Sequence, residues 1–258
     1  MRPVTRRSLL AGMAALSSMP LVLSSRADAD PAGLNVMTEE YPPFNFTQAG
    51  ELKGVSVDIV EEMFARAGTG HTRADIAVLP WARGYNLTLQ RPGHALFSTT
   101  RTADRETLFK WVGPFVPTVV GLTAKKSREL NIKTVQDLHP LRIGVVKDDV
   151  GQLLLRARGV PEERIEAVLS NDQNFRKLIS GRVDAISYET TVTRWGLEDS
   201  GVPVEDYETI FELDRGHLYL ALHHETPDAI VSQLQSAFDD MVSDGTHGRI
   251  LAQYGIGL

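Results

Sequence analysis

From Leu34 onward, short apolar runs alternate with segments of helical periodicity, and this alternation restricts the chain to one class of fold. Strands that each feed an amphipathic helix build α/β proteins, whose helices cover largely parallel sheets. Leu34-Asn35-Val36-Met37 predicts a first strand that ends at the loop Glu39-Glu40-Tyr41-Pro42-Pro43-Phe44. Val57, Ile59, Val60, Met63, Phe64 and Ala67 then recur at helical spacing, opposite Asp58, Glu61, Glu62 and Arg66, and Gly68 stops that helix. Ala95-Leu96-Phe97 predicts a strand before the polar run 98–102, and a second unit begins near Val119-Val120-Gly121-Leu122. Its strands are expected over 142–146 and 183–186, and its helices over 152–158 and 175–179. A strand over 218–222, a helix over 230–242 and a short last helix close the chain, with no internal repeat or low-complexity linker.

The segment before Leu34 reads as an address. Arg2, Arg6 and Arg7 precede a small and apolar stretch that reaches Leu23, and Ala27-Asp28-Ala29 forms a small-x-small cleavage site. The stretch is broken by Gly12, Ser17, Ser18 and Pro20, and is short for a bilayer span of about 20 apolar residues. An export signal over 1–29 is therefore expected; the competing reading is an uncleaved amphipathic helix. Thr5-Arg6-Arg7-Ser8-Leu9-Leu10 resembles the twin-arginine motif, although paired arginines also occur in ordinary signals. Cleavage after Ala29 removes four of 27 basic and one of 33 acidic residues, leaving 23 against 32 and a net charge of −9.

That charge carries no electrostatic footprint for nucleic acid or anionic membrane. The absence of cysteine excludes disulfides, thiol nucleophiles, cysteine-bound metals and a lipid-modified cysteine. His223-His224-Glu225 lacks an evident third ligand, and neighbouring histidines on extended chain are expected to point apart. No phosphate-binding glycine loop and no hydrolase serine motif is present. No cofactor is expected.

Four stretches carry a family resemblance. They are Tyr41-Pro42-Pro43-Phe44 with Gly50, Gly54 and Val57-Asp58-Ile59-Val60; Thr102-Ala103-Asp104-Arg105 with Phe109 to Phe115; Gly181-Arg182-Val183-Asp184-Ala185-Ile186; and Asp244-Gly245-Thr246 with Ile250 and Tyr254-Gly255. In this order the chain resembles the extracytoplasmic solute-binding proteins of ABC importers, in the polar amino acid-binding family (family 3). The resemblance implies a type II periplasmic-binding fold: two α/β lobes joined by two crossovers, with solute held in the cleft between them. The first lobe would be discontinuous, over 30–117 plus 216–258, with 118–215 inserted as the second. It further implies a soluble periplasmic monomer that delivers a small polar solute to an inner-membrane permease.

The resemblance also assigns candidate residues. Arg105 aligns with an arginine that grips a ligand carboxylate, a task suited to a permanently charged fork of parallel donors. Ser98 and Thr100 fall where the family offers hydroxyl and backbone groups to the same carboxylate, and alternate residues of an extended segment share a face. Tyr41 falls where an aromatic ring meets the ligand. Trp81 and Arg83 lie near a second ligand-facing loop, although Trp81 suits lobe packing equally. Glu189 follows where the family carries an aspartate for the ligand's amino group; Asp184 reads as a turn or capping residue.

The sequence departs from the family after Gly144-Val145-Val146. A glycine followed by hydroxyl residues is usual there, and this chain has Lys147-Asp148-Asp149-Val150-Gly151. Acidic residues suit a helix start but compete with a ligand carboxylate. Either Lys147 and backbone amides hold the carboxylate, or Asp149 changes the ligand class. Two alternatives to transport stay open: a dehydratase-like enzyme on the same fold, with Glu189 or Asp149 as acid or base, and a protein that presents solute to a sensor.

Overall fold

The computed structural model describes residues 31–256, so the expected export signal lies outside the described residues. The first half of the chain forms β1 (Asn35–Thr38), β2 (Phe46–Gln48), β3 (Glu51–Lys53), α1 (Val55–Arg66), β4 (Ala77–Val78), α2 (Trp81–Gln90), β5 (His94–Thr100) and β6 (Phe109–Lys125). Then come β7 (Ile143–Val146), α3 (Val150–Ala157), β8 (Ile165–Val168), α4 (Asn171–Ile179), β9 (Ala185–Glu189) and α5 (Thr190–Asp199). The chain ends with β10 (Tyr207–His223), α6 (Asp228–Ser243) and α7 (Thr246–Gln253).

Two elements are longer than the sequence suggests. β6 and β10 are 17 residues each and pair antiparallel along almost their whole length. The apolar runs 119–122 and 218–222 are parts of these ribbons, not separate strands. The upper part of β10 pairs with β5, and the far part of β6 pairs with β9. The eight-stranded order is β4-β1-β5-β10-β6-β9-β7-β8. The fold is therefore two-lobed α/β, one lobe on β4, β1 and β5 and the other on β9, β7 and β8, with β6 and β10 passing between them. The sheet is mixed rather than largely parallel: β1 pairs parallel with β4 and β5, and β7 with β8 and β9, but both ribbons run antiparallel to their neighbours.

The first lobe packs one large core, in which Val57, Ile59, Val60, Met63 and Phe64 of α1 meet Leu234, Phe238 and Met241 of α6. The second lobe has two smaller cores, one around Leu138, Val145 and Leu155 and one around Phe175, Leu178 and Leu197. Several residues of the family-like stretches turn out to be structural. Tyr254 donates to Asp58 at 2.7 Å, and Asp58 pairs with Arg73, so the last stretch is tied to the first. Asp184 accepts from the Arg142 amide at 2.9 Å and bridges Arg128 and Arg142, which holds its carboxyl below the usual range despite burial. Gly54 starts α1 at φ 121, where a Cβ would lie 2.3 Å from the Phe44 carbonyl oxygen. Only glycine allows that approach.

Candidate functional site

The carboxyl ends of β1, β5, β7 and β9 converge on the space between the lobes, where sheet topology places ligands. Arg105 lies at its centre, 1% exposed. One terminal nitrogen donates to the Thr100 carbonyl at 3.2 Å. The other reaches across the cleft to the Asp148 carbonyl at 3.3 Å. The guanidinium carbon sits 5.2 Å from the Trp81 ring centre and 5.0 Å from that of Tyr85, a cation–π enclosure. Its Nε has no hydrogen-bond partner in the protein.

Ser98 is placed by an irregularity rather than by strand alternation. The register of β5 against β10 shifts between Leu96 and Thr99, and Ser98 adopts φ 56, uncommon for a non-glycine residue. Its hydroxyl donates to Asn45 Oδ1, and Asn45 Nδ2 donates to the Glu39 carbonyl at 2.6 Å. The bulge thus anchors the loop after β1. Thr100 is buried and contributes its carbonyl to Arg105.

Tyr41 is buried against Phe44, and Tyr188 of the second lobe meets it edge-on with ring centres 5.3 Å apart. Trp81 begins α2 and donates its indole N–H to the Asp148 carbonyl at 3.0 Å. Phe46 and Trp195 form a further aromatic contact at 5.6 Å, between the β2–β3 hairpin and α5. Val146, Tyr188 and Val192 of the second lobe join the core of the first. The lobes are closed on each other.

The turn after β7 takes an unexpected form. Asp148 adopts φ 61, a left-handed conformation, and its amide donates to Gln152 Oε1 at 2.7 Å. Asp149 stands at the N-cap of α3, and its Oδ2 has no partner. Burial raises its pKa, with Arg105 and the Val150 and Gly151 amides opposing the shift. Glu39 is also buried, and its carboxyl is pushed well up by burial and then by the charge of Asp149. α3 can approach β9 this closely because Gly151 has no Cβ, which would sit 2.6 Å from the Ser187 carbonyl oxygen.

Glu189 is drawn into local structure. Its carboxylate accepts from the Val192 amide at 2.7 Å, capping α5, and from the Val119 amide at 3.4 Å. Burial nevertheless lifts it to about 7. Lys147 is exposed at the rim of a cavity of about 810 Å³ that also meets Glu39, Leu79, Trp81, Phe175, Arg176 and Trp195. Arg83 does not reach the cleft: it is exposed on α2 and borders a separate surface depression with His71 and His94, because two residues along a helix turn its direction by about 200° from that of Trp81. The paired histidines also differ from expectation. Their rings stack at 4.3 Å where β10 ends, and His223 Nδ1 accepts from the Glu225 amide. No cluster of three potential metal ligands occurs among the described residues.

Sequence reasoning missed Glu39, Asn45 and Tyr188. The paired glutamates before Tyr41 were the available signal for Glu39. Tyr188, inside the run Ile186-Ser187-Tyr188, is indistinguishable from a core residue until the lobes are docked.

Solved structures with this architecture include an ABC uptake transporter substrate-binding protein from Streptococcus pneumoniae with bound histidine (TM-score 0.74, 16% identity, 87% of this chain and 93% of that one). The arginine-, lysine-, histidine-binding protein ArtJ from Geobacillus stearothermophilus is similar (0.71, 15% identity, 85% and 94%). So is a histidine kinase sensor domain with similarity to periplasmic binding proteins (0.72, 13% identity, 85% and 95%). These identities speak for the fold alone, and no curated protein sequence matches the chain. The family model of bacterial extracellular solute-binding proteins, family 3, matches residues 34–257. With nearly every described residue inside that match, the chain belongs to the bacterial extracellular solute-binding proteins, family 3.

Proposed function

We propose that this protein is the extracytoplasmic receptor of an ABC importer, capturing a small polar solute of the amino acid type by closing its lobes. The observation that carries the reading is Arg105: wholly buried, enclosed by Trp81 and Tyr85, bonded to both lobes and with Nε still free. A guanidinium so placed responds to both ligand charge and lobe position. The lobes are taken as 30–117 plus 216–258 and 118–215, hinged where β6 and β10 cross. Tyr41, Thr100, Ser98 and Trp81 form the first-lobe wall; Asp149 and Glu189 lie on the second, with Lys147 at its rim.

Similarity to proteins described as binding histidine, or arginine, lysine and histidine, supports an amino acid-like solute. The export signal over 1–29 would place the receptor outside the cytoplasm, and no helix among the described residues is long and apolar enough to cross a membrane. Glu189, the acid or base named for an enzyme, directs its carboxylate to backbone amides, which favours binding over catalysis. A sensor-linked role is the second reading, favoured by the likeness to a histidine kinase sensor domain. Native mass spectrometry of gently purified protein, followed by calorimetric titration of amino acids, tests the receptor. A retained solute of amino acid size supports it; no solute and no titration signal across polar solutes refutes it.

A further inference from the structure

The cavity of about 810 Å³ lies beside the Arg105 enclosure, not within it. Arg105, Ser98, Thr100 and Tyr41 do not line it; Trp81 does, so one indole is the partition between the two spaces. The first-lobe wall is the run Val78-Leu79-Pro80-Trp81-Ala82, from the end of β4 into α2. The second-lobe wall comes mainly from α4 and α5. Val192, Trp195, Gly196 and Asp199 recur at helical spacing, so one face of α5 is turned to the cavity.

The side chains on these walls suit a flat apolar group. Phe175 reaches the wall because of a glycine: a Cβ on Gly196 would overlap its ring, and a glycine inside a helix costs about 1 kcal/mol relative to alanine. Among the described residues three large apolar side chains are exposed, and two of them, Leu169 (66%) and Trp195 (40%), stand on this cavity. Exposed apolar residues scattered singly are ordinary, whereas two on the rim of one concave site mark a binding surface. Trp195 is also braced, its ring 5.6 Å from that of Phe46 on the opposite lobe. The charges at the mouth are of both signs, Lys147 and Arg176 against Glu40, Asp172 and Asp199, and give no single-sign field that would select an ion. The lobes meet elsewhere, through Tyr41 and Tyr188 and through the Asp148 carbonyl, so this volume belongs to the closed cleft. It falls within the range of about 300–1,000 Å³ that holds whole small-molecule ligands.

We propose that this cavity receives an apolar aromatic ring, phenyl or indole, carried by an amino acid-type solute, with Trp195 and Phe175 of the second lobe and Leu79 and Trp81 of the first around it. This rests on the receptor reading and names the side-chain class of the solute. A ring touched by both lobes is fully enclosed only when they are together, so its burial favours the closed state. Aromatic neighbours add to that burial, because the face and the edge of a ring carry opposite partial charge.

The test is calorimetric titration of the purified full chain with L-phenylalanine and L-tryptophan against L-glutamine, L-arginine and L-glutamate. The two aromatic solutes are expected to bind at least tenfold more tightly than the other three. Trp195→Ala, a change at an exposed position, is expected to weaken L-phenylalanine about tenfold. Acrylamide quenching of the tryptophan emission supplies a second readout: L-phenylalanine is expected to shield Trp195 in the wild type, and Trp195→Phe to lose that shielded component while still binding. Aromatic solutes that bind no more tightly than the other three overturn this inference and leave the receptor standing. L-Phenylalanine binding with unchanged affinity in Trp195→Ala and no change in quenching also overturns it. Binding of none of the five overturns it together with the amino acid-type receptor on which it rests.

Discussion

The two ends of β7 treat an aspartate in opposite ways. At its amino end Asp184 is wrapped by the Arg142 amide and the guanidinium groups of Arg128 and Arg142, and its carboxyl is held below the usual range. At its carboxyl end Asp149 is buried with one unpartnered oxygen, and its carboxyl is raised. A satisfied acid locks the rear of the lobe, whereas the one with an unpartnered oxygen sits on the turn that meets the first lobe. The contrast follows strand polarity: in parallel units the carboxyl ends open onto the crevice, and the amino ends pack into the body of the lobe.

Arg105→Ala should separate the two ends most sharply. It removes a buried guanidinium enclosed by Trp81 and Tyr85, together with its bonds to the Thr100 and Asp148 carbonyls. Solute affinity should fall at least a hundredfold by calorimetry, while the bonds at Asp184 stay in place. An affinity within threefold of wild type would remove Arg105 from the site.

The pH response of stability should differ in sign between cleft and rear. Glu189 is raised from its ordinary 4.5 to about 7, so the folded state binds the proton more tightly than the unfolded one. Its contribution is fully present below pH 4.5 and is lost as pH rises toward 7, by at most about 3 kcal/mol. Glu189→Gln should flatten that decline in urea melts taken between pH 4.5 and 8. Asp184, with its folded pKa lowered from 3.8, contributes stability that is present above that value and lost as pH falls through the lowered one. Acid melts of Asp184→Asn would show the second limb missing.

At neutral pH, Asp184→Asn should cost about 1–3 kcal/mol by weakening hydrogen bonds to charged groups, with affinity unchanged. A large affinity loss in that variant would break the division between rear and cleft. The smallest expected effect belongs to the rim: Phe46→Ala removes one aromatic pair worth about 0.5–1.5 kcal/mol. Its signature is a few-fold faster solute release in stopped flow, with an unchanged association rate.

Much of the fold was legible because it is local. The periodicity around Val57 to Ala67 located α1, the Gly144-Val145-Val146 run located β7, and Ile230 to Val242 fell within α6. The continuous length of β6 and β10 was not legible, since a ribbon shared by two lobes alternates its burial according to which lobe it crosses. Within the site, Arg105, Tyr41 and Trp81 stood out as residue types suited to ligands, and all three are buried at the cleft. Arg83 was misplaced because closeness in sequence to Trp81 says nothing of helix face. The Asp148 carbonyl, which receives both Trp81 and Arg105, left no trace in the sequence, because every residue has a carbonyl.

The amino-acid sequence by itself determined the α/β class, the lack of covalent cross-links and the solute-binding signature that the family match bears out. Those depend on side-chain type and short-range spacing. Only the tertiary structure decided that Glu189 caps a helix, that Ser98 sits on a bulge, and that Trp81 and Arg105 both bond the Asp148 carbonyl of the other lobe. Such facts arise when two lobes dock, because burial and charge balance are properties of groups brought together from distant parts of the chain.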